Sequence, residues 1–125
     1  MLTVLATDTV PGLQIFHAGA WRDVPPRPGC FVVNVGDLLH RWTGGAFLST
    51  LHRVEKRDAG ERYSAPFFCA PNLDAVVEVL EPCAAAAERE GRRPTPARGE
   101  TVTCGEWLMK RRAAEYGAKP QLNVS

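Results

Sequence analysis

The sequence has no pair of cysteines close enough for a Cys-x-x-Cys motif; Cys30, Cys69, Cys83 and Cys104 are scattered along the chain. That spacing excludes a zinc ribbon or a dithiol redox centre. Four unclustered thiols read as reduced cysteines of a cytoplasmic protein. No apolar run approaches the roughly 20 residues that a membrane helix needs. Met1 is followed at once by "LTVLATD", with neither a basic n-region nor a small-residue cleavage site. An excess of one charge is lacking too: 15 basic and 14 acidic residues leave a net charge of +1, so no field points to nucleic acid. The basic clusters "GRRPTPAR" and "KRR" lack interleaved aromatics and read as solvated faces. Only three histidines occur, His17, His40 and His52. They do not form the cluster that a histidine-rich metal barrel requires.

What is present is one domain's worth of chain, 125 residues with 45% apolar and 23% charged side chains, the balance of a globular protein. Its first two-thirds alternate between short strand patterns and turn chemistry. "LTVLAT" and "GLQIF" alternate, with Pro11 and Gly12 in the turn between them. "HAGAW" reads as a hairpin tip around Gly19, and "PPRPG" as a rigid stretch ending in a turn. "CFVVNVG" is the strongest strand. Phe31, Val33 and Val35 share one face, and Cys30, Val32 and Asn34 the other. Apolar character on both faces predicts a central strand. Asp37 as N-cap and Gly44 as stop predict a short helix over "DLLHRW". "LDAVVEVL" fits a last strand, and "CGEWLMKRRAAEYG" a closing helix.

The expected organisation is therefore a mainly β domain over residues 1–80, a surface loop over 81–104, and a C-terminal helix and tail over 105–125. The loop assignment, which allows one helical turn, rests on "EPCAAAAEREGRRPTPARGET", rich in Ala, Arg, Gly and Pro and without core periodicity. Many short strands between Gly and Pro turns predict a sandwich or jelly roll with minor helix.

The stretch with most chemical content is "LSTLHRVEKRDAGERYS", residues 48–64. It reads as two arms of a hairpin around "RDAG". Arg62 and Ser64 are two apart and share a strand face. A guanidinium fork beside a hydroxyl suits a carboxylate better than a lysine would. A hairpin loop of odd length puts His52 on that same face, and a two-residue loop puts it on the other. Gly60 suits the odd, bulged form.

Taken together, these blocks resemble the C-terminal part of an Fe(II)/2-oxoglutarate-dependent oxygenase, more narrowly the isopenicillin N synthase-like group. The family's "GLQV", "W…V.P.PG.FVVNIGD", "S..HRV", "R.S" and "FF..P" blocks occur in order over residues 2–80, with a weaker echo over 105–116. The resemblance implies a double-stranded β-helix (jelly roll), incomplete at the N-terminus, with a short helix after the central strand and a C-terminal helix. It implies that His52 is the distal histidine of a two-histidine, one-carboxylate iron site. It further implies that Arg62 and Ser64 hold the distal carboxylate of 2-oxoglutarate, and that the enzyme is a dioxygenase using O2 on a small organic substrate. Nucleic acid and membrane are not expected partners, and the oligomeric state is unreadable.

The family's first two iron ligands lie in a His-x-Asp motif just before the strand matching "LTVLATD", and no His-x-Asp occurs in these 125 residues. Asp8, Asp37, His17 and His40 match no ligand position. The expectation is a fragment or truncated relative, inactive alone. The alternative is a non-catalytic jelly-roll binding or interaction module. In this group an Arg-x-Ser pair can also hold a substrate carboxylate instead of the cosubstrate.

Overall fold

A computed structural model describes residues 1–56 and 60–116. Strand β1 (Leu2–Thr7) lies between β4 (Val32–Val35) and β6 (Ser64–Cys69), antiparallel to both. Strand β2 (Leu13–His17) lies between β3 (Ala20–Asp23) and β5 (His52–Val54), again antiparallel. Two three-stranded sheets thus face each other as an open jelly roll, without closing into a barrel among the described residues. A small third sheet pairs β7 (Val76–Val77) with β8 (Val102–Thr103).

Local chemistry explains most of these elements. His17 pairs with Ala20, leaving Ala18 (φ 50°) and Gly19 (φ 78°) as a two-residue turn. Positive φ at both positions is the turn form whose twist matches that of the flanking strands. Helix α1 (Asp37–Trp42) follows β4 as expected, but its N-cap is Gly36. Asp37 sits in the first turn, favourable for the helix dipole. Its carboxylate is taken by the Ser49 hydroxyl at 2.6 Å and by Arg111 at 3.2 Å. Among the described residues β4 is an edge strand, and β1 is the central one. The apolar alternation of "CFVVNVG" reported two usable faces, not two neighbouring strands, and Val33 remains exposed.

Two further expectations are corrected. Residues 51–67 are not a hairpin: β5 pairs with β2 and β6 with β1, so the chain crosses from one sheet to the other between them. Each arm finds a longer-range partner that continues its sheet. The hairpin loop itself falls partly on residues 57–59, outside the described residues. Residues 81–104 are not simply a surface loop, since helix α2 (Glu81–Arg89) begins there, with a proline in its first turn. Ala84 and Ala87 are buried. Alanine has the highest helix propensity and needs no more than a small contact face, so the run carries no strong apolar period. Arg98 folds back on α2 to pair with Glu81 at 2.7 Å and Glu88 at 2.9 Å.

The tightest core lies beside the sheets. Leu38 of α1, Val77 of β7 and Cys104 pack together, with Met1, Trp42, Val102 and Trp107 against them. Cys104 opens helix α3 (Cys104–Tyr116). Thr103 and Glu106 cap that helix reciprocally: the Thr103 N–H donates to Glu106 at 2.8 Å, and the Glu106 N–H donates to the Thr103 hydroxyl at 3.2 Å. This is a capping box. The backbone N–H and then the hydroxyl of Thr103 hold the Glu106 carboxyl below its ordinary value. The cap's contribution is therefore present above that ordinary value and lost as pH falls through the lowered one. Thr103→Ala should cost about 0.5–2 kcal/mol, read as a lower denaturant midpoint. In the variant the acid dependence of the α3 signal should shrink without vanishing, because the backbone N–H of residue 103 still donates to Glu106. No helix among the described residues is long and apolar enough to cross a membrane.

Candidate functional site

The two sheets enclose a cavity of about 200 Å³. Alternation decides which side chains enter it. From β1 come Thr3 and Leu5, from β4 Val32 and Asn34, and from β6 Ser64, Pro66 and Phe68; the facing sheet sends in Leu13, Ile15, His52 and Val54. Arg62, just ahead of β6, reaches the same space. His52, Arg62 and Ser64 are thus brought together, as the sequence reading expected, but across two sheets instead of across a hairpin. Of the two candidate faces of "CFVVNVG", Val32 and Asn34 line the cavity.

The cavity has two polar ends. At one, Arg62 Nη1 donates to the Ser64 hydroxyl at 3.2 Å, while Arg62 Nε is buried with no hydrogen-bond partner. A buried cationic N–H without an acceptor is costly, and a ligand carboxylate would satisfy it. Gly12 makes room here. A Cβ at that position would lie 2.9 Å from the Glu55 carbonyl oxygen and 3.6 Å from Arg62 Cδ, and its φ of 148° disfavours any side chain. The sequence reading saw Gly12 only as turn chemistry; the Pro-Gly pair ahead of β2 was the available signal.

At the other end stands His52, opposite Ile15 in the register. Arg62 packs beside Gly12 at the start of β2, whereas Ile15 lies two residues beyond Leu13, a step of about 7 Å at strand rise. His52 Nδ1 lies 3.0 Å from the Thr50 carbonyl oxygen. A carbonyl only accepts, so Nδ1 carries the proton and the neutral ring keeps its Nε2 lone pair. Imidazoles that bind metals commonly have their second nitrogen held in this way. Thr3 and Asn34 face each other across β1 and β4 and enter the same cavity.

One imidazole does not make an iron site, and among the described residues no group of three or more His, Cys, Asp or Glu is placed to hold a metal. Asp8, Asp37, His40 and His17 lie outside the cavity's lining. Asp8 accepts from the backbone N–H of Val10 and Tyr63. Asp37 is tied to Ser49 and Arg111, and His40 accepts from the Ser49 N–H. His17 sits at the β2–β3 turn. The donor set therefore fits a carboxylate ligand at Arg62 and does not by itself fit Fe(II).

A family profile for the 2OG-Fe(II) oxygenase superfamily matches residues 1–71. The 2-oxoglutarate-dependent dioxygenase lolO1 of Epichloe uncinata is 36% identical over 98% of this chain, which covers 37% of that protein. A 1-aminocyclopropane-1-carboxylate oxidase of Dictyostelium discoideum is 43% identical over 64% of this chain, covering 23% of that protein. The full-length Neurospora crassa T7H, crystallised in complex with alpha-KG, superposes with a TM-score of 0.74 at 34% identity, over 92% of this chain and 35% of that one. JOX2, in complex with 2OG, Fe and JA, gives 0.75 at 28% identity, over 89% and 31%. The chain spans between 23% and 37% of the length of the curated relatives named here.

Proposed function

The chain belongs to the 2OG-Fe(II) oxygenase superfamily, and on that premise we propose that residues 1–80 are the distal half of the catalytic domain of an Fe(II)/2-oxoglutarate-dependent dioxygenase. Arg62 and Ser64 bind one carboxylate of 2-oxoglutarate, and His52 contributes one nitrogen to the iron. The observation that carries this reading is the placement of a partnerless, buried Arg62 Nε and a free His52 Nε2 in one cavity.

Each residue has a defined task. Arg62 supplies a planar fork and a full positive charge to the carboxylate. Ser64 adds a hydroxyl donor and holds Nη1 in place. Gly12 leaves the guanidinium its room. Leu5, Leu13 and Val32 form the less exposed apolar part of the cavity wall, where an ion pair is stronger than in open water. Bound together with iron, 2-oxoglutarate would supply two electrons for O2 reduction through its oxidative decarboxylation. No further step is assigned to these residues, because His52 is a lone donor here. The substrate is a small organic molecule, and the four free thiols favour the cytoplasm. A non-catalytic module is the weaker reading, since it gives no reason for imidazole and guanidinium to share one cavity.

Anaerobic titration with Fe(II) and 2-oxoglutarate tests the proposal. The 125-residue chain is compared with one lengthened ahead of Met1 by an extended segment carrying His-x-Asp. The lengthened chain should bind both ligands with the visible charge-transfer band of a chelated keto acid, and His52→Ala should remove that band. Equal band strength with and without His52 would overturn the assignment.

A further inference from the structure

The basic segment "GRRPTPAR" has no part in the cavity between the sheets. Gly91, at φ 68°, ends α2, and the Arg92 N–H donates back to the Ala87 carbonyl at 2.9 Å. The segment then docks on the turn that follows α1. The Thr95 N–H donates to the Gly44 carbonyl at 3.3 Å. Gly44 has a φ of 57°, and a Cβ there would come within 2.8 Å of Val79 Cγ2 and 3.0 Å of Pro94 Cβ. A side chain at residue 44 would push the two segments apart.

Between them lies a groove of about 820 Å³, with His40, Arg92, Arg93, Thr95 and Leu48 among its lining residues and no carboxylate. Its polar groups are donors. His40 Nδ1 accepts from the Ser49 N–H at 3.4 Å, so the proton of the neutral ring sits on Nε2. Gly45 lies beside that ring, where a Cβ would make ordinary contact with Cε1 at 3.7 Å and Nε2 at 3.9 Å. Arg92 pairs with Glu90 at 2.6 Å. Arg93 pairs with no carboxylate among the described residues, unlike Arg41 and Arg98. Leu48 adds an exposed apolar wall.

We propose that this groove binds a phosphate-bearing small molecule, with Arg93, His40 Nε2–H and the Thr95 hydroxyl on the phosphate and Leu48 against the organic part. Donors on two chain segments suit a tetrahedral oxyanion, whereas one guanidinium fork would suffice for a planar carboxylate. The volume is within the range of small-molecule pockets. The site is separate from the Arg62 cavity and does not depend on its assignment.

Equilibrium dialysis of the chain against radiolabelled pyrophosphate and AMP, at constant ionic strength, tests this independently of association state. Saturable binding below about 1 mM is expected. Arg93→Glu should weaken both probes at least tenfold, and Arg93→Lys less. Leu48→Ser should weaken AMP more than pyrophosphate. Arg62→Ala should change neither. Absence of saturation, equal binding by Arg93→Glu, or a loss in Arg62→Ala would each overturn the proposal.

Discussion

Arg62→Ala should lower 2-oxoglutarate affinity by roughly 30- to 1,000-fold, about 2–4 kcal/mol. The guanidinium is the cation lining the Ser64 end of the cavity, and its Nε already lacks a partner. Removing it leaves a ligand carboxylate facing Leu13, Val54 and Pro66. Arg62→Lys keeps the charge but loses the fork, and should recover part of the affinity. Ser64→Ala should cost only about 0.5–1.5 kcal/mol, the usual net value of one hydrogen bond. Calorimetric titration of the lengthened chain with 2-oxoglutarate and, separately, with glutarate reads these differences. If a substrate carboxylate occupies the clamp instead, Arg62→Ala leaves 2-oxoglutarate affinity intact, and the cosubstrate assignment fails while the clamp survives.

The sequence disclosed the cavity's residues better than the route by which they meet. Period-two alternation fixed which side chains share a face, and that information survives any choice of strand partner. This is why Arg62 and Ser64, or Val32 and Asn34, came out on common faces. Pairing between strands far apart in the chain leaves no such local mark. His52 was therefore assigned to a hairpin with Ser64, although β5 and β6 belong to opposite sheets. Two sheets facing each other deliver the same juxtaposition that an odd-length loop would have given. Helix α2 exceeds the single turn that the sequence suggests for a different reason: its buried positions are Ala84 and Ala87, which contribute little hydrophobic signal. The capping box of Thr103 and Glu106 went unread, although a Thr-x-x-Glu spacing marks it in the sequence. The Gly12 space was not legible, because it depends on Arg62, 50 residues later.

The 125-residue chain assayed by itself should bind Fe(II) substoichiometrically, show no coupled 2-oxoglutarate turnover, and self-associate. One structural fact underlies all three expectations. Strands β5 and β6 are both sheet edges, and they carry His52 and Ser64 beside the cavity. Their outer N–H and C=O groups have no strand partner among the described residues, a template for pairing with another chain. Apolar surface lies beside them: Phe67 is 69% exposed and Phe68 72%. Pro66 interrupts the β6 edge at one position, which weakens but does not abolish this tendency. On the proposed role of His52, a strand pairing at the β5 edge would stand next to it and be placed to bring further metal ligands. Until it does, a single imidazole competes with water for Fe(II), too few donors for a stable site. Light scattering across a concentration series should show mass rising with concentration. Phe67→Lys should shift the chain toward monomer, because it places a charge on the exposed β6 edge. The strand-bearing, lengthened chain should be monomeric at the same concentration and should bind iron. A monomeric, cooperatively melting 125-residue chain with one equivalent of Fe(II) would show that the site is completed by residues given other roles here.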